Sequence, residues 1–94
     1  SDDQLLTALA AGDVVLLYGS AQPPQGLRQV QSDVAGPFSP ALAREGQAVV
    51  LARRAGTGGV VALAWRRRLT AAAPTDPRLN NFADYWLGAG AGGG

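Results

Sequence analysis

The stretch Asp13-Val14-Val15-Leu16-Leu17-Tyr18 constrains this chain more than any other. Its apolar side chains do not alternate with polar ones, so a strand here presents apolar surface on both faces. Such a strand belongs inside a sheet, with other elements covering both sides. It is far too short to span a bilayer, which takes about 20 apolar residues. The whole chain has 94 residues, enough for one sheet and a few helices, and hides roughly 60–65% of its extended surface on folding. The expectation is one small domain built around a central strand.

Helical patterns flank that strand. Asp2 and Asp3 can cap a helix through about Ala11 that carries Leu5, Leu6 and Leu9, with Gly12 as its stop. After the turn-rich Gly19–Pro24, a proline-started helix places Leu27, Val30 and Val34 on one stripe and ends at Gly36-Pro37. Ser39-Pro40 starts one further helical turn, stopped by Gly46. Pro74-Thr75-Asp76-Pro77 is the clearest helix start, with Thr75 or Asp76 as cap and Leu79, Phe82, Ala83 and Trp86 at amphipathic spacing. Gly88 closes that helix, and residues 89–94 read as a disordered Gly/Ala tail on a globular domain of residues 1–88.

Between these helices, Gln47–Arg54 and Val60–Leu69 read as an antiparallel hairpin around the glycine-rich Ala55–Gly59. Pairing Arg54 with Val60 puts Val49, Leu51, Val61, Leu63 and Trp65 on one core-facing side. Ala48, Val50, Ala52, Ala62 and Ala64 fall on the other, a small-residue face that lets a helix or another chain approach closely. The fold class is therefore α+β (mixed α/β): a single three- to four-stranded mixed sheet in helix-strand-helix-hairpin-helix order. The helices are expected mainly on one face.

The chemical inventory is sparse. There is no His, Cys or Lys, and all eight cationic residues are Arg. Few groups that titrate near neutral pH remain. No disulfide or thiolate metal site can form. Ser20, Ser32 and Ser39 have only carboxylates available as bases, so they read as turn and cap residues. The seven carboxylates show no metal-ligand spacing and read as caps and helix surface. Gly56-Thr57-Gly58-Gly59 lacks the lysine and following helix of a phosphate-binding loop and reads as a turn. The chain is accordingly read as not an enzyme, with no catalytic residue, no metal site and no cofactor.

A net charge of +1 makes no long-range field toward nucleic acid. Arg53-Arg54 and Arg66-Arg67-Arg68 read as two separate basic spots, roughly 20 Å apart along the expected ribbon. Nucleic acid is therefore not an expected partner. The second spot reads as protection of an exposed strand edge. Charged residues are only 16% of the chain, against about 25% in an average protein, and this leaves surplus apolar surface. The expected partner is another protein or a second copy of this chain as a homodimer, with Trp86 and Tyr85 as candidate interface anchors. The alternative is a small-molecule module in which Arg53 or Arg54 contacts an anionic ligand. An atypical carboxylate-centred enzyme is a third reading.

Two motifs carry a family resemblance. Ala64-Trp65-Arg66-Arg67-Arg68-Leu69 is followed by Asp76-Pro77-Arg78-Leu79-Asn80-Asn81-Phe82. With the strand after Gly12 and the proline-started helix, these resemble a bacterial family known as domain of unknown function 3105, over about Gly12 to Gly88. That family shows A-W-G-x-x-L and then D-P-R-L-x-x-F. Here Arg66 replaces the glycine, and Leu6–Gly12 lacks the histidines of the family's H-x-x-E-H-G-like stretch. The resemblance implies a mixed α/β fold and no activity. It also implies an extracytoplasmic domain of an envelope protein, tied to the membrane only through an N-terminal anchor outside this sequence. A chain that begins at Ser1 and contains no Met fits such a fragment.

Overall fold

The computed structural model describes residues 2–92. In chain order the elements are α1 (Asp2–Ala11), β1 (Val14–Tyr18), α2 (Gln25–Val34), α3 (Pro40–Arg44), β2 (Val49–Arg53), β3 (Val60–Ala64), β4 (Arg67–Ala71) and α4 (Pro77–Trp86). The strands form one mixed sheet in the order β2-β1-β3-β4. Every residue of β1 is buried, as its unbroken apolar run requires. The chain is an α+β fold with four strands.

β1 pairs in parallel with β2 and antiparallel with β3. On one face lie Val14, Leu16 and Tyr18, packed with Leu27 and Val30 of α2 and Leu79 and Ala83 of α4. On the other lie Val15 and Leu17, packed with Leu9 of α1. Two long helices thus cover one face and a single helix reaches over the other. Helix starts follow the expected chemistry. Ser39 Oγ accepts from the Leu42 N–H at 3.1 Å, and Asp76 Oδ1 accepts from the Arg78 N–H at 2.9 Å.

The expected hairpin is corrected in two respects. β2 and β3 do not pair with each other; each pairs with β1, on opposite sides, with Leu51 and Ala62 both level with Leu16. The glycine loop between them crosses the end of β1, where Thr57 O passes so close that a Cβ on Gly19 would sit 2.4 Å from it. The physical reason is β1 itself. A strand apolar on both faces gains most from neighbours on both edges, which a separate β2–β3 ribbon would deny it.

The second respect concerns Val60–Leu69, which is not one strand. It breaks at Trp65-Arg66, Arg66 takes a left-handed φ of 61°, and β4 turns back along β3. Facing is redistributed accordingly. Ala62 and Ala64 share the α2/α4 side with Val49 and Leu51, while Val61 and Leu63 share the α1 side with Val50 and Ala52. Trp65 is half-buried on the α1 side and does not join Val49 in the main core.

Part of the segment expected as a disordered tail, residues 89–94, is described and lies against α1. The Ala91 N–H donates to Ala10 O at 2.8 Å and the Gly88 N–H donates to Gly12 O at 2.8 Å. These bonds tie the segment after α4 to the end of α1. The remainder of the expected tail, residues 93 and 94, lies outside the described residues.

Candidate functional site: a trough beside α1

Strand register places the side chains of the α1 face in rows. Val50, Val15, Leu63 and Arg68 form one row across the four strands, and Ala52, Leu17, Val61 and Thr70 form the next. α1 packs over β1 and leaves the β3–β4 side open. The result is a concavity of about 460 Å³ with Leu17, Val61 and Leu63 at its base. The turn Arg54–Gly58 closes one end, and Arg68 and Thr70 of the edge strand form a wall. It adjoins a groove of about 250 Å³ along α1, lined by Asp2, Leu5, Leu6 and Leu9 and again by Arg54 and Leu63. Leu6 is 55% exposed at this rim. The two recesses share Arg54 and Leu63 and form one trough of mixed polarity between α1 and the β3–β4 hairpin.

The charges around the trough are asymmetric. Arg54 pairs with Asp2 at the start of α1, and its carbonyl accepts from both the N–H (3.2 Å) and the hydroxyl (2.8 Å) of Thr57. Across the trough, no carboxylate pairs with Arg68 among the described residues. The 460 Å³ concavity itself has two arginines and no acidic residue in its lining.

The anion-contact residues expected from sequence are therefore distributed differently. Arg54 lines the trough. Arg53 does not, and its Nε–H donates to Ser20 O at 3.2 Å, steadying the loop after β1. Arg68 and Thr70 were not among the expected contacts. They come to the trough because the unforeseen turn at Trp65-Arg66 folds β4 against β3.

The expected interface aromatics lie elsewhere, beside the other face of the sheet. Tyr85 is 76% exposed at the end of α4. Trp86 is half-buried against the main core; its ring meets that of Tyr85 edge-on at 4.8 Å and carries the Arg67 guanidinium at 4.6 Å. Alternation along β4 thus sends Arg67 to Trp86 and Arg68 to the trough.

One carboxylate departs from the expected surface role. Asp13 is 1% exposed, and its Oδ1 accepts from the Ala48 N–H at 3.0 Å, tying the start of β1 to the start of β2. Its Oδ2 is buried with no hydrogen-bond partner. Burial raises the Asp13 pKa above the ordinary carboxylate value, and the Ala48 N–H only partly opposes that. By contrast, the Arg78 side chain and then its backbone N–H hold Asp76 below the ordinary value. Asp13 stands alone: no group of three or more acidic residues could hold a metal ion among the described residues. No described helix is long and apolar enough to cross a membrane. No protein-family model, curated protein or solved structure matches this chain.

Proposed function

We propose that this is a non-enzymatic protein-interaction domain whose binding surface is the trough between α1 and the β3–β4 hairpin. The observation behind this reading is the uneven cover of the sheet. One face is roofed by α2 and α4, whereas α1 leaves Val61 and Leu63 only partly buried in an open recess, with the exposed Leu6 at its rim. Exposed apolar surface of this kind, rimmed by polar residues, is a common mark of a protein contact. The small-anion alternative has less support, because Arg53 is turned to Ser20 and Arg54 is already paired with Asp2. Membership of family 3105, and a place as the soluble part of an envelope protein, belong to the same proposal. Their support is the pair of motifs at 64–69 and 76–82.

The test uses isopropanol as an apolar probe on the ¹⁵N-labelled domain. The amides of Val61, Leu63 and Thr70 should shift first and saturably, and Leu63→Asp should remove the response while keeping the spectrum folded. Shifts spread evenly over the surface would refute the reading. Light scattering over a concentration series then identifies the partner class. A dimer that Leu63→Asp dissociates means that the partner is a second copy.

A further inference from the structure

We infer that Gln31 is a guard on the outer edge of β2: it blocks antiparallel pairing of that strand with β2 of a second copy of this chain. The argument begins with which backbone groups face outward. The Val14 N–H donates to Ala48 O, and the Arg54 N–H donates to Tyr18 O. Backbone groups alternate between the two edges of a strand, so Ala48, Val50, Ala52 and Arg54 turn theirs to β1. Val49, Leu51 and Arg53 turn theirs away, and β2 is the last strand on that side of the sheet.

An edge of this composition needs cover. Val49-Val50-Leu51-Ala52 is an uncharged apolar run, with Arg53 only at its end. Exposed edges of that kind recruit further strands. A recess of about 300 Å³ touches both Val50 and Leu51, whose side chains belong to opposite faces of the sheet, together with Arg28, Gln31 and Phe38. Phe38 is 49% exposed there. Among the described residues, no group bonds the outward N–H or C=O of Leu51.

One outward acceptor is taken: Gln31 Nε2, from α2, donates to Val49 O at 2.8 Å. Two copies of β2 paired antiparallel about Leu51 set Leu51 opposite Leu51. Val49 of each copy then lies opposite Arg53 of the other, as a hydrogen-bonded pair. This register keeps the two Arg53 residues at opposite ends, so charge alone does not prevent it. The Arg53 N–H of one copy needs the Val49 carbonyl that Gln31 of the other holds. The two-fold axis repeats that block at both ends of the pairing. The other edge of the sheet is protected differently. β4 carries Arg67 and Arg68, so self-pairing there gathers like charges, and Arg78 Nη2 lies 3.5 Å from the outward Thr70 O.

The test is light scattering of the full chain over a concentration series, together with hydrogen exchange at the Leu51 amide. Wild type should show no concentration-dependent protection at Leu51. Gln31→Ala should self-associate about tenfold more strongly, as regaining two backbone hydrogen bonds implies, with Leu51 exchange slowing as concentration rises. Gln31→Met, which keeps the stem and loses the donor, should behave like Gln31→Ala. Gln31→Lys, which retains a donor, should behave like wild type. Unchanged association in both Gln31→Ala and Gln31→Met would overturn the inference. So would a Gln31→Lys that associates as strongly as Gln31→Ala, or a wild type already protected at Leu51. Association that leaves Leu51 exchange unchanged would also overturn it, because the contact then lies elsewhere. β1 separates β2 from the β3–β4 hairpin, so a dimer through the trough leaves the Leu51 amide unaffected and the two readings fail separately.

Discussion

Gly46→Ala tests the seam on which the sheet is assembled. Gly46 has a φ of +74°, and a Cβ there would lie 1.9 Å from Ala11 O and 2.6 Å from Ala11 C. Real Cβ atoms essentially never come within 3.0 Å of another heavy atom, so the two backbones must part by about 1 Å. That parting pulls on the Asp13 N–H to Ala8 O bond (3.0 Å), the Val14 N–H to Ala48 O bond (3.1 Å) and the Ala48 N–H to Asp13 carboxylate bond (3.0 Å). Left-handed backbone with a side chain costs about 1–2 kcal/mol. Loss of two partly buried hydrogen bonds adds about 2–3 kcal/mol.

Gly36→Ala is the control, because Gly36 has nearly the same φ, +77°, with nothing within 4 Å of its Cβ position. It carries the strain alone, reduced by the entropy that alanine removes from the unfolded chain, for a net of about 1 kcal/mol. Gly46→Ala should therefore be less stable than Gly36→Ala by about 3 kcal/mol. That is a large part of the roughly 5–15 kcal/mol available to a domain. Urea unfolding followed by tryptophan fluorescence should show the midpoint lowered by about 1 M or more between the two variants. If the two variants unfold within 0.5 kcal/mol of each other, roughly the spread of an ordinary surface substitution, the close approach at Ala11 is not a constraint and the argument fails.

Three further outcomes follow from individual contacts. Asp13 has a raised folded pKa, so its charged form is a penalty at neutral pH that disappears as pH falls below the unfolded carboxylate value. Asp13→Asn, which keeps an acceptor for the Ala48 N–H, should raise thermal stability at pH 7 and have little effect at pH 3; a loss at pH 7 would count against burial as the dominant influence. Asp76 has the opposite sign: its folded pKa is depressed, so its stabilisation is present above the unfolded value and is lost as pH falls through the folded one. Asp76→Ala should lower the melting temperature at pH 7, with the gap closing below about pH 4, and a gap independent of pH would contradict the ionised cap. Arg67→Ala removes the guanidinium 4.6 Å above Trp86 and should cost about 0.5–1 kcal/mol. It should also alter Trp86 emission in a background where Trp65 is replaced by Phe; an unchanged spectrum would mean that the contact is not populated in solution.

Much of the fold is legible in local chemistry. The Val14–Tyr18 run requires burial on both faces, and the structure puts it second in a four-stranded order with helices on both sides. Ser39 and Asp76 are legible as caps because a short acceptor before a proline-started helix has a nearby orphan N–H to satisfy. The stripes Leu27/Val30 and Leu79/Ala83 are legible from their 3.6-residue spacing, and these side chains form the roof of the main core.

That β2 and β3 each pair with β1 and not with one another was not legible, because adjacency in sequence and a glycine-rich link favour a hairpin while the long-range gain of flanking β1 leaves no local mark. The break at Trp65-Arg66 was hidden for a related reason. It places an arginine at a φ of 61°, where glycine or asparagine would have signalled a turn. That one turn decides the candidate site. With it, Arg68 and Thr70 come round beside Val61 and Leu63; without it, Arg68 would be one more charge on a long strand. Asp13 follows the same logic, since a lone acidic residue after a glycine reads as surface until the strand starts converge on it. The sequence by itself determined which segments are helical and which strand must be central, because those follow from spacing and caps within a few residues. Only the tertiary structure decided which strands flank β1 and which arginines share a trough, because those depend on free energies gained between residues tens of positions apart.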